Sequence, residues 1–176
     1  MTPPHRPLEP SWGLGPLLCA AMLVPVAPAG AQDLAGSAHL HGLVTSDVDV
    51  GAAVAIDLHV PVDVLRLGAF VIVGAIPSDN DDRNRVFMPL GLSASLELAG
   101  DLAGVSLRAR GGMWAGATQS TKITAGGFLG GGVYLLLRMS ETVTFNLGLD
   151  LWGILGAGEQ LVYAPSLGVS WVGGGP

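Results

Sequence analysis

The sequence predicts an all-β fold, a single antiparallel up-and-down eight-stranded transmembrane β-barrel that follows a cleaved signal peptide. Three observations support this prediction. From about Ala35 to Trp171, one alternate set of residues is almost purely apolar and the other holds nearly all the charge, which is typical of two-faced strands. The pattern recurs about eight times, in segments long enough to cross a membrane as tilted strands. Charged residues make up only 12% of the chain, against about 25% in typical soluble domains.

The N-terminal segment has the pattern of a secretory signal. Arg6 and the amino terminus supply positive charge, residues 14–26 form the apolar centre, and Ala29-Gly30-Ala31 matches a cleavage site. Several prolines in this segment argue against a continuous membrane helix. We therefore expect a signal peptide over residues 1–31 and an outer-membrane β-barrel domain over residues 32–176.

Eight strand segments follow, separated by polar or turn-forming residues. The predicted strands are about Gly36–Val44, Asp49–Val60, Val64–Ala75, Val86–Gly100, Val105–Ala117, Thr124–Arg138, Thr142–Leu155 and Gln160–Val172. The second, fourth and sixth connections are short, whereas the third and fifth are longer and more polar. Because outer-membrane barrels have short periplasmic turns and longer outward loops, this rhythm places both chain ends in the periplasm.

The alternating pattern alone does not decide whether the apolar face points to lipid or to a core. In the alternative architecture, a soluble lipocalin-like barrel, the apolar face lines an interior that binds an apolar ligand. A water-facing polar surface would be rich in lysine and glutamate, but this chain has one lysine, Lys122. Small residues and charges of nearly balanced sign suit a cramped interior instead, so the sequence favours a lipid-facing apolar set.

Aromatic residues give a second test of the two faces. Tyr163 and Trp171 share the apolar parity of the last strand, which separates them by roughly 20 Å across the membrane, and we expect them in an aromatic girdle. Trp114 and Trp152 fall on the polar parity. A bulge at Gly111-Gly112 or at Gly153 would move these two indoles to the outside.

Over Ala35–Trp171 the chain resembles the small eight-stranded outer-membrane barrels of the OmpA-like and OmpX-like class. The ending Ser166-Leu167-Gly168-Val169-Ser170-Trp171 looks like the C-terminal strand signal of that class, although five more residues follow it. The resemblance implies secretion to the periplasm, residence in the bacterial outer membrane, contact with lipid bilayer and lipopolysaccharide, and the barrel-assembly machinery as a partner during biogenesis. The class includes anchors, adhesion and resistance proteins and a few enzymes, so fold does not specify function.

Charged residues of the polar face form a candidate lumen network. They are Asp57, Arg66, Glu97, Arg108, Arg110 and Arg138. A turn centred on Pro61-Val62 would pair Asp57 with Arg66, and a turn centred on Leu102-Ala103 would pair Glu97 with Arg108. An eight-stranded barrel has an interior just wide enough for side chains, so we expect paired charges in its periplasmic half to plug it. The alternative is a porin-like ion pathway.

Histidines of the first hairpin are the candidates for a metal site. His39, His41 and His59 share a face with Asp57, and two imidazoles two residues apart on a strand can suit a metal. Hydrogen bonding within a polar lumen is the favoured explanation, because the sequence does not fix a register that unites all three, so we expect neither a metal nor another cofactor.

A membrane-embedded hydrolase is the catalytic alternative. Across the closure of the barrel, Ser166 or Ser170 would approach His39 or His41, but the sequence supplies no acid to complete a triad. We therefore expect no enzyme.

The net charge of −6, without a basic run, excludes nucleic acid as a partner. The sequence thus predicts a monomeric, non-catalytic outer-membrane barrel with a plugged polar lumen. Its role would be envelope-structural or mediated by its loops. The alternatives are the soluble barrel and an envelope enzyme or metal binder that uses the first hairpin.

Overall fold

All described secondary structure is β-strand. The computed structural model describes residues 34–77, 84–118, 123–156 and 159–173, and the predicted signal peptide lies outside them. The strands are β1 (Ala35–Thr45), β2 (Val50–Val62), β3 (Leu65–Ala75), β4 (Asn84–Ala99), β5 (Ala103–Thr118), β6 (Ile123–Arg138), β7 (Val143–Gly156) and β8 (Gln160–Val172). Each matches one predicted strand. No helix in the described part of the chain is long and apolar enough to cross a membrane.

The strands form one closed antiparallel barrel. Each pairs with the next, and β1 pairs with β8 to close the sheet. We call the end that carries the β1–β2, β3–β4, β5–β6 and β7–β8 connections the loop end. The opposite end is the turn end. It carries the three other connections, the start of β1 and the end of β8. The predicted all-β, up-and-down architecture is confirmed.

Strand parity separates the outer surface from the interior. Large apolar side chains point outward on every strand, and Leu92 on β4 (74% exposed), Leu129 on β6 (60%) and Leu149 on β7 (55%) are examples. The alternate residues point inward. Between described strands, the one register shift lies at Asn84/Val86 on β4. The apolar set therefore lies outside, which is the reverse of what a lipocalin-like barrel requires.

The interior is divided into two layers, and this corrects the prediction of a wholly polar lumen. The half toward the loop end is packed with apolar side chains, which we call the apolar plug. Its members are Leu43, Ala53, Ala55, Phe70, Ile72, Ile76, Phe87, Trp114, Phe128, Trp152, Ile154, Val162 and Ala164. The polar and charged side chains lie nearer the middle and the turn end.

Two tryptophans of the polar parity belong to this plug. Trp114 is 1% exposed and Trp152 is fully buried. The predicted bulges are absent from the described strands at these positions, since Gly111, Gly112 and Gly153 all keep regular pairing. Both indoles thus stay inside, where they fill volume.

Inward glycines make room for the largest interior rings. Gly148 pairs with Tyr134 across β6 and β7, and an added Cβ would lie 2.4 Å from Cδ1 of the tyrosine. Gly130 pairs with Trp152 in the same way, with 3.0 Å to Cδ1 of the indole. Each ring covers the strand position where its neighbour has no side chain, so large and small residues alternate across the seam.

Candidate functional site: the interior charge network

Asp57 on β2 is the centre of the interior network. It is fully buried. Its carboxylate accepts hydrogen bonds from Nε and Nη2 of Arg110, at 3.1 and 2.8 Å, and from Nη1 of Arg108, at 3.3 Å. Both arginines are on β5, so these contacts cross the lumen between strands that are not neighbours. Arginine presents several donors in a fixed fork, which suits one carboxylate bound by two guanidinium groups.

A second buried carboxylate balances the charge. Asp150 on β7 accepts a hydrogen bond from Nη1 of Arg110 at 3.3 Å and another from the hydroxyl of Tyr134. The guanidinium of Arg108 lies 4.5 Å from the centre of the Tyr134 ring. Two carboxylates therefore face two guanidinium groups, and burial of paired charges avoids most of the cost of isolated ones.

Two of the candidate histidines contact this network. Nη1 of Arg108 lies 2.9 Å from Nε2 of His39. A guanidinium can only donate, so Nε2 of His39 accepts, and that imidazole is neutral. Nε2 of His59 forms a hydrogen bond with the hydroxyl of Ser93, at 3.2 Å. These rings therefore have hydrogen-bonding roles inside the lumen.

His41 lies next to the acid that sequence reasoning missed. Its Nδ1 is 3.5 Å from Oδ2 of Asp150, and its register partner on β8 is Ser166. Serine, histidine and acid thus lie together, but Oγ of Ser166 has no hydrogen-bond partner among the described residues. All three side chains are buried. The nucleophile is not engaged by the base and has no path to a substrate, so the arrangement does not form a catalytic triad.

The pairings predicted from the hairpin turns are wrong. Asp57 is opposite Phe70, and Glu97 is opposite Ser106. The β2–β3 turn is centred two residues later than expected, because Val62 pairs with Leu65. The β4–β5 turn is centred one residue earlier.

A separate ion pair lies toward the turn end. Nη2 of Arg66 on β3 is 2.6 Å from Oε2 of Glu97 on β4, and both side chains are partly exposed, at 21% and 12%. Arg138, at the end of β6, lines the same cavity as this pair and is exposed. The six predicted network residues therefore form two groups, with Asp57, Arg108 and Arg110 in the buried middle and the other three at the turn end.

The predicted girdle residues lie on the outer surface at opposite ends of β8. Tyr163 is 47% exposed near the loop end. Trp171 is near the turn end, half-buried against Gly36 of β1, where an added Cβ would lie 2.3 Å from the indole. In the residues that the structure describes, no group of three or more His, Cys, Asp and Glu side chains is placed to hold a metal ion.

Asp150 and Tyr134 are the network members that sequence reasoning did not select. Both have the inward parity of their strands. That parity was the usable sequence signal, whereas the pairing of Asp150 with Gly132 and of Tyr134 with Gly148 follows from the register of the barrel.

Comparison with known proteins identifies the architecture. No protein-family model and no curated protein matches the sequence. Among solved structures, the chain is similar to Neisserial surface protein A (NspA), with a TM-score of 0.60 and 12% identity over 80% of this chain and 96% of that one. It is also similar to Ail, the attachment invasion locus protein of Yersinia pestis, with a TM-score of 0.51 and 6% identity over 79% of this chain and 95% of that one. The N-terminal β-barrel domain of Pseudomonas aeruginosa OprF is a third similar structure, with a TM-score of 0.50 and 13% identity over 78% of this chain and 96% of that one.

These likenesses concern the fold. The chain has the architecture of the small eight-stranded outer-membrane β-barrels, which confirms the resemblance inferred from the sequence. At such low identity, the likeness does not transfer an activity or a ligand.

Proposed function

We propose that this chain is an integral protein of the bacterial outer membrane, non-catalytic and with a filled lumen, whose role is envelope-structural or mediated by its loops. The observation that carries the proposal is the inside-out distribution of polarity. Outward positions along all eight strands are occupied mainly by exposed leucine, valine and small residues, while buried ion pairs lie inside the barrel. Such a surface is stable against hydrocarbon and costly against water.

The packing of the lumen supports a plug. An ion crossing the barrel would have to pass the apolar plug around Trp114 and Trp152 and then separate the buried pairs of Asp57 with Arg108 and Arg110. The first step strips water from the ion, and the second leaves buried charges unpaired.

We also propose how the chain reaches the outer membrane and what it contacts there. We propose that residues 1–31 direct secretion to the periplasm and are removed, and that the barrel-assembly machinery receives the chain through its last strand. Once inserted, the outer belt contacts lipid, the loop end contacts lipopolysaccharide, and the barrel is a monomer. The short turns at the turn end fit a periplasmic orientation.

Two matched leucine substitutions test the membrane placement. Leu92 is in the middle of β4 and 74% exposed, whereas Leu102 is in the β4–β5 turn and 80% exposed. In a bilayer, Leu92→Arg should cost about 2–4 kcal/mol and reduce the folded fraction, since the charge meets hydrocarbon, while Leu102→Arg should have little effect. Folding is read from heat-modifiable mobility on SDS gels after refolding into lipid vesicles, with outer-membrane fractionation in cells. If both variants fold equally well and the unboiled protein fractionates as soluble, the membrane proposal fails.

Single-channel recording tests the plug. The protein reconstituted in planar bilayers should show no steady conductance. A stable open level in the unmodified protein would contradict the filled lumen without affecting the membrane placement.

A further inference from the structure

We propose that the turn end of the lumen contains a binding site for a small zwitterion, in which Arg138 receives an oxyanion and Glu141 a neighbouring ammonium group. The site is a cavity of about 60 Å³ between the ends of β3, β4, β6, β7 and β8, which we call the turn-end vestibule. Roughly 10–15 Å³ of such volume holds one water, so the vestibule has room for a small polar group. The inference does not depend on the membrane proposal.

The barrel register places a row of donors along one wall of the vestibule. Arg138 pairs with Thr144 of β7, and Thr144 pairs with Ser170 of β8. All three residues line the cavity. Adjacent positions on one face lie about 5 Å apart, so a guanidinium and two hydroxyl groups point into the same small volume. An oxyanion is the ligand group that such a set of donors recognises.

The hydroxyl of Ser170 is available as a donor at the wall of the vestibule. Nδ2 of Asn146 donates to Oγ of Ser170 at 2.5 Å, which leaves the serine proton free. Asn146 itself is fully buried, and its Oδ1 has no hydrogen-bond partner among the described residues. The inner wall thus retains unused polar capacity next to the cavity.

The charges of the vestibule explain why a zwitterion fits better than a plain anion. Arg66 and Glu97 neutralise each other at 2.6 Å on the opposite wall. Arg138 and Glu141 both line the cavity, yet within the described part of the chain no ion pair joins them to each other or to any other residue. One unpaired cation and one unpaired anion therefore face one cavity, and a ligand with an oxyanion and an ammonium satisfies both.

An NMR titration of the refolded, ¹⁵N-labelled barrel tests this site. The probes are β-alanine and O-phosphoethanolamine, with acetate and methylammonium as single-charge controls, in nanodiscs of phosphatidylglycerol. We expect saturable amide shifts confined to the β6–β7 turn and the end of β8. Either single-charge control should bind at least about tenfold more weakly than a zwitterion, because it leaves one charge of the site unpaired.

Three variants locate the binding energy. Arg138→Gln and Glu141→Gln should each weaken zwitterion binding by about tenfold or more. Asp101→Asn, which removes an exposed acid from the β4–β5 turn outside this cavity, should leave binding unchanged. Dispersed amide spectra show that each variant is folded. Unsaturable shifts, acetate binding as tight as β-alanine binding, or equal losses in all three variants would each overturn the proposal.

A lipid arm distinguishes the source of the zwitterion. Replacing phosphatidylglycerol by phosphatidylethanolamine in the nanodiscs should weaken apparent binding of O-phosphoethanolamine if lipid headgroups reach the vestibule. An unchanged affinity would assign the site to a soluble zwitterion.

Discussion

Replacing Asp57 by asparagine removes one of the two negative charges of the buried network and keeps the size of the side chain. One carboxylate, that of Asp150, then remains for two arginines, and of the two it contacts Arg110, at 3.3 Å. The new amide also replaces one carboxylate oxygen, which accepts hydrogen bonds from the arginines, by an NH2 group that can only donate. The substitution therefore changes the charge and the hydrogen bonding of the network while the packing stays nearly the same.

The loss of folding free energy expected for Asp57→Asn follows from the burial of its ion pairs. The carboxylate of Asp57 is fully buried, and the side chains of Arg110 and Arg108 are 1% and 3% exposed. Removing one partner of a buried ion pair costs about 3–5 kcal/mol, because the remaining charge stays desolvated. We expect a loss near the middle of this range, about 4 kcal/mol, since Asp150 still compensates part of the charge.

Glu97→Gln is the matched control, because it makes the same carboxylate-to-amide change in an ion pair. Arg66 and Glu97 are 21% and 12% exposed, so solvent screens their interaction, and we expect a loss of about 1 kcal/mol. Both variants are refolded into the same lipid and unfolded in urea, and the free energy of unfolding is read from tryptophan fluorescence and from heat-modifiable gel mobility. The denaturant slope should stay the same, because the unfolded chain exposes the same surface.

A double variant separates charge imbalance from general damage. Arg108→Met added to Asp57→Asn removes the cation that has lost its carboxylate partner and leaves the pair of Arg110 with Asp150, so the double variant should lose less stability than the sum of the two single variants. If Asp57→Asn costs under about 1 kcal/mol, or no more than Glu97→Gln, the inference that Asp57 stabilises the interior through charge pairing is wrong.

Three further predictions concern packing and placement. Gly148→Ala should destabilise the barrel by about 1–3 kcal/mol, because the new Cβ would meet the Tyr134 ring at 2.4 Å. The control Gly127→Ala should be close to neutral, because its Cβ would lie 3.7 Å from the nearest neighbour. Urea unfolding measures the stability of both variants. Trp152→Ala should cost about 3–5 kcal/mol, as a fully buried indole leaves a cavity in the apolar plug, and a smaller loss in the same assay would show that the lumen collapses around the gap. Brominated lipids should quench the fluorescence of Trp171 and spare Trp152, measured in single-tryptophan variants, and equal quenching would contradict the assignment of the faces.

Strand positions and parity could be read from the sequence because both depend on local patterns. The predicted strand Gly36–Val44 and the observed β1, Ala35–Thr45, differ by one residue at each end. The alternation of side chains fixes which residues point inward once one face is rich in apolar residues. This is why Arg108 and Arg110 were assigned to the interior.

The partners of the interior charges could not be read in the same way. Hairpin pairing considers neighbouring strands only, but Asp57 on β2 meets Arg110 on β5 across the lumen. Such contacts depend on the closure of the barrel and on the length of each side chain. The β2–β3 turn lies at Asp63-Val64, with Asp63 at a positive φ of 57°, and the alternation of side chains does not indicate such a backbone conformation.

The apolar half of the lumen was not predicted, because the alternation of apolar and polar residues, on which the prediction depended, is absent there. Near the loop end, inward positions such as Ile72 and Phe87 are as apolar as their outward neighbours. A segment that is apolar on both faces reads as a continuous apolar run, and periodicity then gives no sign of which face is enclosed.

The two layers of the interior have different consequences for the two ends of the barrel. The apolar plug lies between the charge network and the loop end, so the network is shielded on that side by tryptophan and phenylalanine rings. On the other side, Arg66, Glu97 and Arg138 border a cavity that is open toward the turn end. Low polarity strengthens attraction between the charges next to the plug, while water at the turn end weakens it. Binding chemistry inside this barrel therefore belongs at the turn end, where ligands can displace water without breaking the buried pairs.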